Sequence, residues 1–381
     1  MNRSWARTMT PMAVGLLMVL VPVLAEGQKT SGNPKPSESV DKAVARAQLQ
    51  IAGILINEPS LEDLIRIGDS FKGRQEYEQA MIYYLIAARE SGSLAQHARY
   101  QLACNLALWG NQDVAMEQLK KAVDGGFWNY GLMRDDDELD SLRTRPGFAE
   151  LEETVKKRYP EAVRKHAGQP VVKYPGKEAQ EAGKSRGRSM PVLVALHGYG
   201  SNPQDFAVVA QLAADNGMIG LSLPGTVVLR ENSFRWSNES IEHTHAYVQN
   251  ELGRLRLPKG MRLGPVYVTG FSQGGLHAAL LTMHYSKHYA GAMPVSPGGS
   301  LDVPRVPTGG RPRPLFMIYS TEEHPGNIAL ARSIMTAFQT VKFPVDQATH
   351  RGGHEFPEDW REVFKKGLEF LACPSGPRCS K

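Results

Sequence analysis

The chain has 381 residues, of which 41% are hydrophobic and 22% charged, with a formal net charge of +5. That is enough for two ordinary domains with sizeable cores. The positive balance is mild for this length, and no long basic block with interleaved aromatics occurs, so nucleic acid is excluded as a partner.

The first element in chain order is a leader. Arg3 and Arg7 precede an apolar run from about Met12 to Leu24 that ends Val23-Leu24-Ala25. A basic start, an apolar middle and small residues before a cut predict a signal peptide over residues 1–25, cleaved near Ala25, and a secreted or periplasmic protein. The run is short and interrupted by Pro22, so no stable membrane span is expected after cleavage; an uncleaved anchor is the alternative. Residues 26–39 hold Gly, Pro, Ser and Lys and read as a flexible linker.

Residues 40–167 show no strand alternation. Apolar residues recur three and four apart, and Gly68, Gly73, Gly92 and Gly110 fall where helices should stop. Ala80, Tyr84 and Ala87 are echoed 35 residues later by Ala115, Leu119 and Ala122. Small residues at such positions let two helices approach, and the large one fills the groove. Cys104 beside Ala103 reads as a packed thiol.

These residues, with Ala103, resemble the tetratricopeptide repeat family, whose period is about 34 residues. Residues 126–148 are similar to the closing helices that follow such repeats, and the resemblance spans about Leu61 to Tyr159. It implies either a brace for the neighbouring domain or a groove for a peptide or protein partner.

A Gly/Lys/Glu/Pro-rich stretch from about Gly168 to Arg188 follows, with Val171–Tyr174 as a first strand and a solvated basic hairpin loop after it. The α/β region is assigned to residues 168–373. Strand-like runs at 191–196, 218–223, 266–269, 292–296, 315–319 and 345–349 alternate with helical runs at 241–255, 275–285, 328–340 and 358–371. Continuous apolar strands between helices predict a mostly parallel sheet covered on both faces, with chemistry beyond the carboxyl ends of the strands. In the tail, 374–381, Cys379 lies across a Pro/Gly loop from Cys373; the two either form a disulfide or remain free thiols.

Three motifs sit at those strand ends. Gly270-Phe271-Ser272-Gln273-Gly274-Gly275 has the form G-x-S-x-G between a strand and a helix, the context of a nucleophile elbow. Leu196-His197-Gly198-Tyr199-Gly200 runs a strand into a glycine loop, whose Tyr199 amide with that of Gln273 would form an oxyanion hole; His197 reads as loop-shaping. Gly353-His354 follows the last strand and offers a base for Ser272. Between them, Ser320-Thr321-Glu322-Glu323 supplies an acid, Glu322 or Glu323, with Asp346 or Asp302 next. His243 and His245 stand two apart and do not share a helix face; His284 and His288, four apart, read as a solvated pair. No metal site and no cofactor are expected. Phe234-Arg235-Trp236 either shapes a pocket mouth or packs within its loop.

The order Ser, acid, His and the three motifs resemble the α/β-hydrolase superfamily, and within it the phospholipase/carboxylesterase family that includes acyl-protein thioesterases. The resemblance covers about 190–371. It implies a serine nucleophile without metal, acting on small-molecule esters or thioesters. The spacing of that family puts the acid at Glu323 rather than Glu322, and the family generally has aspartate where Glu323 stands. The expected function is an exported serine hydrolase working through Ser272, His354 and Glu323 and an acyl-enzyme. A serine peptidase and a non-catalytic protein-binding scaffold are the alternatives.

Overall fold

The computed structural model describes Ile54 and residues 59–185, 189–301 and 312–374. The signal peptide, the 26–39 linker, Arg186 to Arg188, Asp302 and Cys379 lie outside the described residues. The chain divides into two compact units between Lys165 and His166.

The first unit is helical: α1 Leu61–Gly73, α2 Tyr77–Ala87, α3 Ser93–Leu108, α4 Gln112–Asp124, α5 Tyr130–Asp135, α6 Asp140–Arg143 and α7 Phe148–Lys165. Ser60 caps α1, its hydroxyl accepting from the Asp63 amide at 3.1 Å. Successive helices α1 to α4 pack on their neighbours. Ala80, Tyr84, Ala87, Ala103, Ala115, Leu119 and Ala122 are all buried in one core. The spacing read from the sequence is therefore a packing pattern. Gly68 shows the same logic, because a Cβ there would stand 2.7 Å from the Tyr84 ring.

A polar network closes this core. The Tyr84 hydroxyl donates to Asp69 at 2.6 Å and that of Tyr100 to Asp136 at 2.7 Å. Lys72 Nζ donates to Glu138 at 2.5 Å and to Gln101 at 2.7 Å. Cys104 is free and buried.

The second unit is built on a seven-stranded sheet. Its strands are β1 Val171–Lys173, β2 Ser189–Leu196, β3 Ile219–Leu223, β6 Arg262–Phe271, β7 Gly291–Val295, β8 Leu315–Ser320 and β9 Val345–His350. They lie in the order β1-β3-β2-β6-β7-β8-β9, while β4 Val227–Arg230 and β5 Ser233–Arg235 form a separate hairpin. Only β1 runs antiparallel to its neighbour in the large sheet.

The helices of this unit are α8 Lys177–Ser185, α9 Ala207–Asp215, α10 Ile241–Arg254, α11 Gln273–His284, α12 Pro325–Thr340 and α13 Trp360–Ala372. Alternate residues of one strand feed opposite cores. Val192, Val194 and Leu196 pack with residues of α10, α11 and α12, whereas Leu193 and Ala195 pack with residues of α9 and α13. That two-sided burial explains why the central strands read as continuous apolar runs.

The segment after β1 departs from expectation. Lys177–Ser185 forms α8, which takes in the start of the basic run expected as a solvated hairpin loop; residues 186–188 lie outside the described residues. The reason is topological: β1 pairs with β3, not with β2, so its connection to β2 cannot be a tight hairpin. At the other end, Cys373 is disulfide-bonded. Among the described residues no helix is long and apolar enough to cross a membrane.

Candidate active site

Ser272 lies between the end of β6 and the start of α11, with φ 54° and ψ −120°. A non-glycine residue in that region is strained and needs surroundings that hold it. They do so through its own peptide groups. The Ser272 amide donates to the Val295 carbonyl at 3.0 Å, and the Ser272 carbonyl accepts from Gly298 at 3.0 Å and from Leu276 at 3.1 Å. The flanking glycines are dictated by space. A Cβ on Gly274 would sit 2.1 Å from the Leu196 carbonyl oxygen, and one on Gly270 would sit 2.4 Å from the Gly274 carbonyl. The turn that lifts Ser272 out of the sheet thus exists because two backbones touch where side chains would be.

The loop after β2 passes directly beside the serine: a Cβ on Gly198 would be 3.4 Å from Ser272 Cβ. His197 shapes this loop from within. Its Nδ1–H donates to the Gly198 carbonyl at 2.7 Å, and its Nε2 accepts from the Gly225 amide at 2.9 Å. Burial holds this imidazole down to a pKa of about 4, so it is a neutral strut. The Gly200 amide donates to the Phe234 carbonyl at 2.9 Å, and the Phe234 amide returns to the Ser201 carbonyl at 2.9 Å. Among the described residues these bonds leave the Tyr199 amide unused. Tyr199 is 62% exposed.

Gln273 begins α11, so its amide has no carbonyl one turn behind it. Its buried side chain is clamped to the chain of Trp236: the Trp236 amide donates to Oε1 at 2.9 Å, and Nε2 donates to the Trp236 carbonyl at 3.0 Å. The Trp236 indole N–H donates to the His197 carbonyl at 2.8 Å. Phe234 and Trp236 are fully buried. Of the two roles open for them in the sequence, packing inside the loop is the one observed.

The structure brings Glu323 and His354 together. His354 Nδ1–H donates to Glu323 Oε1, and the Glu323 side chain is 1% exposed. Glu322 instead points to solvent, its side chain 57% exposed and 3.9 Å from Arg351. Ser320, buried at the end of β8, ties the two loops: its hydroxyl donates to the Gly352 carbonyl and accepts from the Glu322 amide at 3.0 Å. Asp346 lies on β9, which is not where His354 turns for its partner.

The His354 ring lies 4.8 Å from that of Phe271, the residue before the serine. Among the described residues Ser272 and His354 share no hydrogen bond. Catalytic hydrogen bonds often tighten only with substrate present.

Phe356 stacks on Phe271 at 5.1 Å and lines a hollow of about 210 Å³ with Phe206, Val208, Val209, Asp205 and Trp360. A larger hollow of about 500 Å³ opens at the opposite end of the sheet, around Met190 and Pro265, away from Ser272.

His245, away from this site, packs against aromatic rings and His288. His245 stacks on Tyr285 at 3.6 Å and hydrogen-bonds the Tyr289 hydroxyl at 2.9 Å, and His288 meets its edge at 5.0 Å. The one group of three potential metal ligands among the described residues is Cys104, Asp136 and Glu138. Lys72 and Tyr100 already bind those two carboxylates.

Sequence reading missed Asn327, whose side chain donates to Glu323 at 2.5 Å. Glu323 stands just before the N-cap His324 and Asn327 in the first turn of α12, so the side chain reaches back over the helix start; Pro325 after His324 was the available signal for that start. It also missed Ser320 and the Gln273–Trp236 clamp. The clamp joins backbone to side chain across 37 residues, which no local pattern reveals.

The chain matches the A/B hydrolase-like, N-terminal domain family over residues 70–163. That match falls on the helical unit and supports an α/β hydrolase. No curated protein matches the chain. Among solved structures, an uncharacterized protein from Bacillus cereus ATCC 10987 is 15% identical and aligns over 82% of this chain and 99% of its own, with a TM-score of 0.42. A Bacillus cereus carboxylesterase is 17% identical over 56% of this chain and 98% of its own, with a TM-score of 0.42. Zea mays acyl-protein thioesterase 2 is 16% identical over 54% of this chain and 99% of its own, with a TM-score of 0.37.

Proposed function

We propose that the chain is an exported serine hydrolase that cleaves carboxylic esters or thioesters through an acyl-enzyme. The observation that carries this reading is the strained Ser272 at a strand-to-helix turn, φ 54°, flanked by glycines where a Cβ would strike backbone. The Glu323–His354 hydrogen bond supports it.

In this reading His354 accepts the Ser272 proton as the hydroxyl attacks the acyl carbonyl. Its Nδ1–H faces Glu323, so Nε2 is the basic nitrogen, and the buried carboxylate stabilises the imidazolium that forms. The Tyr199 and Gln273 amides donate to the oxyanion of the tetrahedral intermediate. Removing one such donor typically raises the barrier by about 3 kcal/mol. His354 then protonates the leaving group, and a water activated by the same imidazole releases the acid. The apolar hollow beside Phe356 offers room for a hydrophobic part of the substrate. The helical unit is assigned either bracing or binding of a peptide or protein partner.

The test is a panel of chromogenic esters, thioesters and peptide amides offered to the full-length protein. Turnover of esters with kcat/KM well above that for matched amides supports the reading. Preferential amide cleavage makes the protein a peptidase, and no turnover of any substrate makes it a scaffold.

A further inference from the structure

We infer that Asn327, on the first turn of α12, is a positioning residue that holds Glu323 in place against His354. The inference rests on the triad reading given above. Asn327 Nδ2 donates at 2.5 Å to Glu323 Oε1, the same oxygen that receives the His354 Nδ1–H. One carboxylate oxygen therefore takes two donors, from two different elements.

The placement of Asn327 is itself fixed. Its amide donates to the His324 carbonyl at 2.9 Å, and the His324 ring accepts from the Gly326 amide at 3.1 Å, so the helix start is wound around this residue. Its other side faces the turn behind the nucleophile. A Cβ on Gly298 would be 3.4 Å from Asn327 Oδ1 and 3.4 Å from Ser272 Oγ. The side-chain amide thus lies between the acid and the serine turn, where it can steer only a group already in the site.

Two physical consequences follow. Glutamate has one more rotatable bond than aspartate, and a second donor restrains the extra freedom. The second donor also shares the carboxylate's charge between two partners, so less of it faces the imidazole. The other charged groups around the pair do not substitute for Asn327. Glu322 and Arg351 face each other in solvent, His324 and Glu355 are exposed, and His350 Nδ1 is bonded to the Arg351 carbonyl at 3.1 Å. Asp205 on the α9 side is held by Asn202 and Ser201. Among the described residues only Asn327 and His354 donate side-chain hydrogen bonds to Glu323.

The experiment is the pH profile of kcat/KM on one chromogenic ester for the full-length parent, Asn327→Leu and Asn327→Asp, with Ser272→Ala as the blank. Leucine keeps the volume without the donor; aspartate keeps the shape and adds negative charge. Both variants are expected to lose roughly ten- to a hundred-fold in kcat, with KM within about threefold. In both, the acidic limb should move to higher pH by roughly one unit, because His354 is then easier to protonate. If Asn327→Leu does not fold, the isosteric Asn327→Asp carries the test. A folded variant whose acidic limb coincides with that of the parent overturns the proposal, whatever its rate. The Ser272→Ala blank checks the triad separately, so an unmoved limb counts against Asn327 alone.

Discussion

Gln273 and Trp236 hold each other by reciprocal hydrogen bonds, side-chain amide to backbone, at 2.9 and 3.0 Å. The residue after the serine is therefore fixed twice: by the helix it starts and by the loop it grips. Replacing it with methionine keeps the length but leaves the buried Trp236 amide without its partner and the Trp236 carbonyl with only the Arg235 guanidinium at 3.4 Å. Each unpaired buried group costs about 1–3 kcal/mol. Gln273→Met is expected to lower the melting temperature and to reduce kcat more than KM. A variant with unchanged stability would mean that the clamp contributes little.

The two adjacent glutamates make a paired prediction. Glu323→Gln keeps the shape of the buried acid but removes its charge, and kcat should fall by roughly 10³- to 10⁴-fold with KM little altered. Glu322→Gln, in solvent, should stay within a few-fold of the parent. Steady-state kinetics of the two variants on one ester decide the matter.

How much of this was legible in the sequence depends on the range of each interaction. The strand ending at Leu196, the strand before Ser272 and the helix from Ile241 show in local periodicity, and the structure places them within a few residues of expectation. That only one of Glu322 and Glu323 could face His354 was also readable, because neighbouring side chains point apart; which one came from the spacing of the resembled family. Helix α9 was not singled out, since its run Ala207–Asp215 is short and largely apolar. Helix α8 was read as loop because the pairing of β1 with β3 is a long-range fact. The burial of Trp236 beneath His197 likewise depends on residues 39 apart. Local pattern gives elements, whereas contacts across the fold decide what each side chain is for.

Acid should weaken the second unit through two buried imidazoles. Burial lowers His197 and His277 to about 4, from an ordinary value of 6.5. Between those limits the unfolded chain binds protons that the folded chain refuses. Stability is therefore full above pH 6.5 and is lost as pH falls towards 4, by on the order of 2–3 kcal/mol for each ring. Urea midpoints at pH 7 and pH 4.5 should show this drop, and the double variant His197→Gln, His277→Gln should show a smaller one. An equal drop in both proteins would assign the acid sensitivity to other groups.

In the helical unit, Lys72 has a side chain only 10% exposed and leans on Glu138. Taking away one partner of a buried pair strands the other. Glu138→Gln is expected to cost roughly 2–3 kcal/mol, read as a lower melting temperature of the full-length protein. No measurable change would show that Gln101 alone satisfies the ammonium.

The most direct test of the account is to treat the full-length protein with a fluorophosphonate probe and locate the adduct by mass spectrometry. The account predicts a single adduct on the peptide that carries Ser272. It also predicts no labelling of Ser272→Ala, with a kcat lower by roughly 10⁴-fold or more. An adduct on another residue, or undiminished labelling of Ser272→Ala, would contradict it.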